Sequence, residues 1–467
     1  MTPQGSTATL RGRRLHFIAI GGAGMSGLAL VCHGLGADVS GSDSADSTYM
    51  ERLRAAGLEP RLGHDAELVP ADADVVVSTA IGEDNVELRR ARERGQRILH
   101  RSELLAELTG AGRLIAVAGA HGKTTTAGMI THALRATGAD PAFVLGGELP
   151  GDGDRAAAAN AGWGEGGVII AEADESDGSF LRLSPEVGLV TNVELDHHSH
   201  WSGEAELWAA FASFCGRSRT AVAEAGEPAR RLGAALTFSV DAGDGADVLA
   251  TRIEANAGGS TFELRAPSGS CEVRLGVPGR HNVANATAAL AALEAAGAGS
   301  CLPPLGELAR ALAGFPGMAR RLERKGGRSG ALVFDDYAHH PTEVAAALAA
   351  LRELPHRRLI AVFQPHLYSR TKALAPRFGR ALAAADVIAV LEVYPAREKP
   401  VGELAGVSGI SVAQAAASAA PGRRVLWLRQ LETAYEILAD ELAEGDLLVT
   451  IGAGDVVKLA DRLVVDR

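Results

Sequence analysis

The stretch Val117-Ala118-Gly119-Ala120-His121-Gly122-Lys123-Thr124-Thr125-Thr126 decides the fold of the middle of this chain. An apolar run at 113–117 precedes it and predicts a buried strand, and apolar residues at helical spacing follow it as far as Gly138. Glycines let backbone N–H groups approach phosphate oxygens, and a helix N-terminus favours negative charge. Strand, glycine-bounded loop and helix together therefore predict a phosphate cradle.

The residues of this loop predict how it would hold a triphosphate. Lys123 is expected to lie along the β- and γ-phosphates, and Thr124 to give its hydroxyl to Mg²⁺. The predicted ATP contacts of the loop are Gly119, His121, Gly122, Lys123, Thr124 and Thr125. Val117 occupies the position of the first glycine in the eight-residue P-loop pattern, so the loop is a shorter variant. The alternative is a glycine-rich turn that closes a βα unit, but a Lys followed by three Thr has little packing value.

Length and composition exclude several classes of protein. A chain of 467 residues predicts two to four domains. With 46 basic and 57 acidic residues, the net charge of −11 argues against a nucleic-acid partner, although a local basic pocket for phosphates is compatible with it. Four dispersed cysteines without a CxxC pair favour reduced thiols in the cytoplasm. The sequence contains no uninterrupted run of about 18 apolar residues, so no membrane span is expected.

A second glycine loop lies near the N-terminus. A strand at 15–20 leads into Gly22-Ala23-Gly24-Met25-Ser26-Gly27, which fits GxGxxG, and a helix is predicted to about Gly34. The next strand leads to Asp43, whose carboxylate is placed to bond a sugar or a base. A diphosphate on this helix N-terminus fits NAD and a UDP-sugar equally well, so both ligands remain open at this point.

Acidic residues and histidines follow two further predicted strands. The apolar run 168–171 ends in Glu172, with Asp174, Glu175 and Asp177 after it. Acids at the end of a buried strand in a phosphate-loop domain predict a Mg²⁺ ligand, with Glu172 the first choice and Glu175 the second; the alternative is a solvated acidic turn. The strand at 187–193 is followed by His197, which is predicted to ligate a second Mg²⁺ or to orient a ligand.

The remaining chain alternates strands and helices. Alternating residues within 236–277 predict a small antiparallel sheet beside the main sheet. Asn282 and Asn285 share a helix face and are predicted to read an adenine edge, the alternative being an N-cap and a surface residue. Phe315-Pro316-Gly317 predicts a domain boundary. Beyond it, strands are predicted at 332–334, 359–363, 387–391, 425–428 and 447–451, and three of their carboxyl ends carry residues capable of chemistry.

Five motifs in the same order resemble the Mur ligases. They are the segments at 21–27, 119–125, 172–180 (EADESDGSF), 335–343 (DDYAHHPTE) and 363–371 (FQPHLYSRT). The resemblance implies an α/β fold of three domains: a Rossmann-like UDP-sugar domain at 1–110, a central P-loop ATPase-type domain at 111–316 with a mostly parallel sheet plus the small antiparallel sheet, and a C-terminal Rossmann-like domain at 317–467. It also implies a cytoplasmic ATP-dependent amide ligase of peptidoglycan precursor synthesis that joins L-alanine to the carboxylate of UDP-N-acetylmuramate with Mg²⁺, acting as a monomer or weak homodimer.

The resemblance also implies roles for individual residues. The implied catalytic residues are Lys123, His339 and Arg370. The implied ATP contacts outside the loop are Asn282, Asn285, Arg321 and Asp336. The implied UDP-sugar contacts are Gly22, Gly24, Met25, Ser26, Asp43 and Ser78. The implied metal ligands are Thr124, Glu172 and His197. Some relatives support a second metal with a carbamylated Lys, but no Lys lies between Asp196 and Gly216, so none is expected here.

Three other functions compete with this interpretation. An NAD-dependent oxidoreductase would explain the first glycine loop but leaves the Lys-Thr-Thr-Thr segment without a role. A non-catalytic nucleotide-binding regulator would bind ATP and form no amide. Within the family, the alternative is a recycling ligase that attaches a preformed peptide to the same sugar nucleotide.

Overall fold

A computed structural model describes residues 10–109, 113–151, 159–195, 201–243, 245–256, 259–396 and 398–465. The contacts divide the chain into two compact units. The first consists of 1–252, 262–274 and 284–315, and the second of 253–261, 275–283 and 316–467. The secondary structure forms three sheets, which give a three-domain α/β fold. The four cysteines are free in the structure.

The first sheet is parallel throughout and carries the N-terminal glycine loop. Its strands are β1 (Arg14–Ile18), β2 (Asp38–Asp43), β3 (Arg61–Leu62), β4 (Asp74–Val77) and β5 (Ile98–His100). Its helices are α1 (Ala23–Gly34), α2 (Thr48–Ala55), α3 (Val86–Glu93) and α4 (Arg101–Thr109). The strand order β3-β2-β1-β4-β5 reverses at β1. Ligands bind outside the carboxyl ends of strands at such a reversal, and the glycine loop begins there.

The second sheet carries the phosphate loop at its centre. Its strands are β6 (Arg113–Ala118), β7 (Ala142–Leu149), β8 (Ala159–Gly162), β9 (Val168–Glu172), β10 (Val187–Val190), β11 (Thr220–Glu224), β12 (Leu236–Ser239), β13 (Val248–Asn256), β14 (Gly259–Ala266) and β15 (Gly269–Leu275). Its order is β15-β14-β13-β12-β11-β10-β6-β9-β7-β8. Because β6 pairs in parallel with β10 on one side and β9 on the other, the segments that follow these three strands lie side by side.

Five helices accompany the second sheet, and the N-terminal helix packs on its edge. The five are α5 (Lys123–Ala136), α6 (Glu204–Arg217), α7 (Glu227–Leu232), α8 (Arg280–Ala295) and α9 (Leu305–Ala311). Helix α1 contacts both β7 and β8. A Cβ on Gly27 would lie 2.9 Å from the Cβ of Ala161, and Asn160 Nδ2 donates to the carbonyl of Ala23 at 2.6 Å. The first glycine loop is therefore held partly by the second sheet.

The third sheet lies in the second unit. Its strands are β16 (Glu323–Arg328), β17 (Ala331–Asp336), β18 (Leu359–Phe363), β19 (Val387–Val390), β20 (Arg424–Trp427) and β21 (Leu447–Ile451). Its helices are α10 (Pro341–Arg352), α11 (Tyr368–Leu382), α12 (Ile410–Ala419), α13 (Leu431–Glu441) and α14 (Val457–Val465). The order is β16-β17-β21-β18-β19-β20, with β16 antiparallel to β17 and the other pairs parallel. Within the described residues, no helix has both the length and the apolar character needed to cross a membrane.

Most predicted strands are confirmed, and the differences have physical reasons. Strands β13 to β15 lie in the region predicted as a small antiparallel sheet beside the main sheet, and they continue from β12 at the edge of the second sheet, with β12 and β13 parallel. The sequence prediction missed β3, β7, β8, β11 and β16. Strands β8 and β16 read ANAG and ERKGGR, without an apolar alternation. Each is a short edge strand that is held by antiparallel pairing with its neighbour along the chain, β7 and β17 respectively.

Candidate active site

The loop between β6 and α5 bends so tightly that two of its positions favour glycine. Gly119 has φ 129° and Gly122 has φ 81°, both in the region that L side chains rarely adopt. A Cβ on Gly119 would lie 2.1 Å from Oγ1 of Thr191, and a Cβ on Gly122 would lie 2.4 Å from Oδ1 of Asn285. The structure thus brings the predicted adenine-reading Asn285 against the phosphate loop.

Residues after β10 hold the loop from the side. The backbone N–H of His121 donates to Oδ1 of Asn192 at 2.9 Å. The His121 carbonyl accepts from Oγ1 of Thr191 at 2.7 Å and from Nδ2 of Asn192 at 2.9 Å. The His121 ring lies 3.1 Å from a carboxylate oxygen of Glu194. The sequence prediction assigned no role to Thr191 or Asn192; their position at the end of a strand was the available signal.

Lys123 is the first residue of α5 and faces acidic side chains. Its Nζ lies 2.9 and 3.1 Å from the two carboxylate oxygens of Glu175 and also donates to the carbonyl of Gly119. Burial alone would lower the pKa of Lys123, but the carboxylates of Glu175, Asp174 and Glu172 outweigh that and raise it. The lysine therefore keeps its positive charge at neutral pH, as binding to phosphate requires.

The acidic segment after β9 supplies oxygen atoms next to this lysine. Glu172 Oε1 accepts from the backbone N–H of Gly146 at 2.6 Å. Glu175, the second choice among the predicted Mg²⁺ ligands, is buried and paired with Lys123. Thr124 is buried in the first turn of α5. Carboxylate and hydroxyl oxygens are the donors that Mg²⁺ prefers, so Thr124 and Glu172 fit this ion. The third predicted ligand, His197, lies outside the described residues.

The N-terminal glycine loop offers backbone groups rather than side chains. Gly22 caps α1 in an extended conformation, with φ −74° and no capping side chain. The predicted contacts Met25 and Ser26 are buried, and the Ser26 hydroxyl donates to the Ala23 carbonyl at 3.0 Å. A ligand at this helix would therefore meet the N–H groups of Gly24 and its neighbours, and not the side chains of Met25 and Ser26.

The two remaining predicted UDP-sugar contacts lie at strand ends of the first sheet. Asp43 accepts from the backbone N–H of Gly21 at 2.8 Å and of Ala45 at 3.1 Å, so its carboxylate holds the glycine loop. Ser78 follows β4, and its hydroxyl accepts from the N–H of Ala80 at 3.4 Å. Both residues lie at the carboxyl edge of the sheet, and their contacts to a sugar or base stay predictions.

In the second unit, Asp336 and Arg321 have structural partners of their own. Asp336, at the end of β17, accepts from the backbone N–H groups of Leu322 and Ala338, each at 2.7 Å. Its burial raises the pKa of this carboxyl to about 6. The Arg321 guanidinium lies 5.3 Å from the ring centroid of Tyr337 and 3.8 Å from Glu343. Asp336 thus joins two backbone segments, and its predicted adenosine contact remains a prediction.

The two predicted catalytic residues of the second unit lie in one cluster. His339 follows β17, and its ring centroid lies 6.0 Å from that of His366, which follows β18. His366 Nδ1 lies 3.3 Å from Nη1 of Arg370 and its ring stacks on Tyr394 at 6.0 Å. Adjacent Leu367 has φ 68° at the start of α11. His366, named in the sequence only as a strand-end residue, therefore joins His339 to Arg370.

Asn282 and Asn285 both lie in the first turns of α8. Asn282 is buried, and its Nδ2 donates to the carbonyl of Pro278 at 2.7 Å. This contact fixes the side chain at the start of the helix, which agrees with the alternative interpretation as a helix-start residue. A role of Asn282 in adenine recognition stays a prediction.

Three family models match consecutive parts of the chain. The "Mur ligase family, catalytic domain" matches 14–113, the "Mur ligase middle domain" matches 117–293, and the "Mur ligase, glutamate ligase domain" matches 320–454. Together they cover most of the sequence, in the order in which the three sheets follow one another.

Relatives match over nearly the whole length. A protein of Streptomyces avermitilis named UDP-N-acetylmuramate–L-alanine ligase is 43% identical, with 97% of each chain covered. One of the same name from Kineococcus radiotolerans is 44% identical over 97% of this chain and 95% of the relative. The crystal structure of the UDP-N-acetylmuramate-alanine ligase of Thermotoga maritima matches with a TM-score of 0.80 at 27% identity, covering 97% of this chain and 98% of that one. A murein peptide ligase of Psychrobacter arcticus shares the fold at TM-score 0.67 and 24% identity, covering 97% and 98%.

Proposed function

The chain belongs to the Mur ligase family, and we infer that it is the ligase that uses ATP to join L-alanine to the carboxylate of UDP-N-acetylmuramate. The observation that carries this conclusion is the agreement in name among relatives more than 40% identical over 97% of the chain. The reaction is a step of peptidoglycan precursor synthesis. The recycling ligase that takes a preformed peptide resembles this chain in fold, whereas the relatives in sequence carry the name of the alanine ligase.

The phosphate loop supports a proposal for the activation of the carboxylate. A carboxylate and a γ-phosphate are both anionic, so their reaction requires cations that neutralise the developing charge. We assign this role to Lys123, whose raised pKa keeps it charged, and to Mg²⁺ held by Thr124, Glu172 and His197. When bound, the ion supplies Lewis-acid stabilisation of phosphate oxygens. The loop glycines Gly119 and Gly122 present backbone N–H groups to the phosphates, and the carboxylate oxygen displaces ADP to form an acyl phosphate.

The other predicted residues complete the proposal for the three substrates. Gly22, Gly24 and the helix that they begin hold the diphosphate of the sugar nucleotide, with Asp43 and Ser78 at the same sheet edge. The proposed adenosine and phosphate contacts are Asn282, Asn285, Arg321 and Asp336. The amine of alanine attacks the acyl phosphate and passes through a tetrahedral intermediate, and we assign its charge stabilisation to His339 and Arg370. The cluster at His366 supports this assignment because it keeps an imidazole and a guanidinium together.

We also propose a cytoplasmic location and a monomer or weak homodimer. ATP and nucleotide-activated sugars are cytoplasmic metabolites, and a charge of −11 suits a freely dissolved protein. Sedimentation velocity at several protein concentrations, with and without substrates, tests the oligomeric state.

One assay tests the function. The full chain is incubated with UDP-N-acetylmuramate, ATP, Mg²⁺ and each amino acid in turn, and ADP and the mass of the nucleotide product are measured. The expected product is heavier by one alanine residue, and it forms with L-alanine in preference to other amino acids. UDP-N-acetylglucosamine, which lacks the lactyl carboxylate, serves as the control and should release no ADP above background. Product formation only with a preformed peptide would instead identify the recycling ligase.

A further inference from the structure

Arg101 lies against the N-terminal glycine loop, although no sequence motif marks it as a ligand contact. It is the first residue of α4, directly after β5. A Cβ built on Gly24, in the first turn of α1, would lie 2.7 Å from Nη1 of Arg101. Residues 19–27 contain no Lys or Arg, and α1 has no capping side chain. The Arg101 guanidinium therefore places a cation at the N-terminus of α1, where the loop itself has no basic residue.

The other side of the same guanidinium faces the acidic segment after β9. Nη2 of Arg101 lies 3.4 Å from Oδ2 of Asp174 and 3.7 Å from Oδ2 of Asp177. The Arg101 side chain is 29% exposed, and those of Asp174 and Asp177 are 40% and 17% exposed. Long, partly solvated ion pairs of this kind are weak. A ligand with two phosphate charges at the Gly24 turn could therefore replace Asp174 and Asp177 as the partner of the guanidinium at little cost in free energy.

Asp174 also connects this contact to the phosphate loop. Its carboxylate interacts electrostatically with Lys123 of the phosphate loop and lies 3.4 Å from Nη2 of Arg101. The same acid thus interacts with a cation of each loop. Removing Arg101 from Asp174 leaves Lys123 as its principal cationic neighbour.

We propose that Arg101 binds the diphosphate of the sugar nucleotide and that Asp174 and Asp177 hold its guanidinium until the diphosphate takes it. The proposal rests on the proposed function, since it names a further contact of the same sugar-nucleotide site. A planar guanidinium donates two parallel hydrogen bonds to phosphate oxygens, which the N–H groups of α1 alone do not provide. Occupation of the first site would then change the charge around the acidic segment that faces Lys123.

The first experiment measures the dissociation constants of UDP-N-acetylmuramate, UDP and uridine for the full chain by calorimetry. In Arg101→Ala, loss of a charge-assisted contact is expected to raise Kd roughly 10-fold or more for UDP-N-acetylmuramate and UDP. Uridine has no phosphate, so its Kd should stay unchanged, which also shows that the site is folded. An equal loss of affinity for all three ligands would mean that Arg101 only supports the structure, and it would overturn the proposal.

The second experiment removes the competitor instead of the cation. Asp177→Asn keeps the oxygen that accepts from the Ser179 N–H at 2.9 Å but loses the charge that faces Arg101. We expect UDP to bind roughly 2- to 5-fold more tightly, the range of a weak surface ion pair. In the double variant with Arg101→Ala this gain should disappear. Unchanged or weaker UDP binding by Asp177→Asn alone would contradict the proposed competition.

Arg52 provides a matched control. It also forms an ion pair that links the first sheet's helices to the second sheet, a closer pair, with Glu148 at 2.8 Å. Arg52→Ala should leave the UDP affinity unchanged, and a loss as large as that of Arg101→Ala would overturn the assignment. If UDP binds in an Arg101-dependent way but UDP-N-acetylmuramate does not bind, the proposed substrate fails while the diphosphate contact is upheld.

Discussion

The loop before α1 and the loop before α5 both join a parallel strand to a helix, yet they differ in backbone and in charge. The first begins its helix at Gly22 in an extended conformation and contains no basic residue. The second bends through Gly119 and Gly122 at positive φ and places Lys123 at the helix start. Acidic side chains face Lys123, whereas the first loop has Arg101 of α4 beside Gly24.

This difference corresponds to what each loop is proposed to do. A diphosphate that stays intact needs only N–H groups and one cation that can move to it. A γ-phosphate that is transferred needs a charge fixed in place before the reaction, because fixed charges need no reorganisation at the transition state. In this proposal, one βα arrangement serves binding in the first sheet and chemistry in the second. The following experiments separate these two roles.

The largest expected effect comes from removing the charge of the second loop. Lys123→Met should lower the rate of substrate-driven ADP formation by about 10³-fold, because one fixed charge of the transition state is lost. The affinity for UDP-N-acetylmuramate, which is assigned to the first loop, should change little. Calorimetry and a coupled ADP assay measure the two quantities.

A second variant controls for stability. Lys123→Met leaves Glu175 buried without its cation. The double variant that combines Lys123→Met with Glu175→Gln removes this unpaired charge and is the matched control. If either variant retains near wild-type ADP formation, the role of the lysine is wrong.

The next largest expected effect is on stability, because the two loops differ in backbone geometry. Gly119→Ala forces a side chain into a positive φ and against Thr191 and Asn192, which should lower the free energy of unfolding by about 2–4 kcal/mol. Gly22→Ala meets only a carbonyl oxygen at 3.6 Å at an ordinary φ, so its cost should stay below about 1 kcal/mol. Urea denaturation measures both, and equal costs would show that the loops do not differ in strain.

The side chains that hold each loop should affect different substrates. Asn192→Ala removes two hydrogen bonds to His121 and should raise KM for ATP roughly 5- to 10-fold. Asp43→Ala removes the acceptor for the Gly21 N–H and should raise KM for UDP-N-acetylmuramate by a similar factor. Steady-state kinetics with each substrate varied in turn tests this crossover. A rise in the same KM for both variants would mean that the two loops act as one site.

The smallest expected effect is on acid stability. Burial would raise the pKa of Asp174, but Lys123 and Arg101 lower it, so this acid stabilises the fold above its usual pKa of 3.8, and the contribution is lost as the pH falls through and below that value. Without Lys123 less of this contribution exists to be lost. Lys123→Met should therefore lose less stability than the wild type between pH 5 and pH 2, a modest difference because the carboxylate is partly solvated. Urea denaturation at each pH gives the free energy of unfolding of both proteins. If the difference between them is the same at all pH values, this coupling is contradicted.

Local spacing was enough to predict some parts of the molecule and not others. Both glycine loops and the buried strands β6, β9 and β10 follow from short apolar runs and glycine positions, and each is confirmed. The hydrogen bonds between Asn192 and His121 depend on the pairing of β10 with β6. These segments are about 70 residues apart, so no local sequence pattern predicts the contact. The same reason applies to Arg101, whose partners Gly24 and Asp174 come from two different sheets.

The direction of side chains was the second feature that the sequence could not predict. The resemblance implies Met25 and Ser26 as ligand contacts, whereas in the structure both residues are buried and the Ser26 hydroxyl donates to the Ala23 carbonyl. Asp43 lies at the expected sheet edge, yet its carboxylate is used to hold Gly21. A pattern in sequence thus predicts which segment lies at a site better than it predicts which atoms face the ligand.

The most direct measurement follows one oxygen atom through the reaction. UDP-N-acetylmuramate labelled with ¹⁸O in its carboxylate is incubated with the enzyme, ATP and L-alanine, and the released phosphate is analysed by mass spectrometry. If the carboxylate takes the γ-phosphoryl group held by the Lys123 loop, the phosphate gains one ¹⁸O for each amide formed. Amide formation that releases unlabelled phosphate would contradict the division between a binding loop and a phosphoryl-transferring loop.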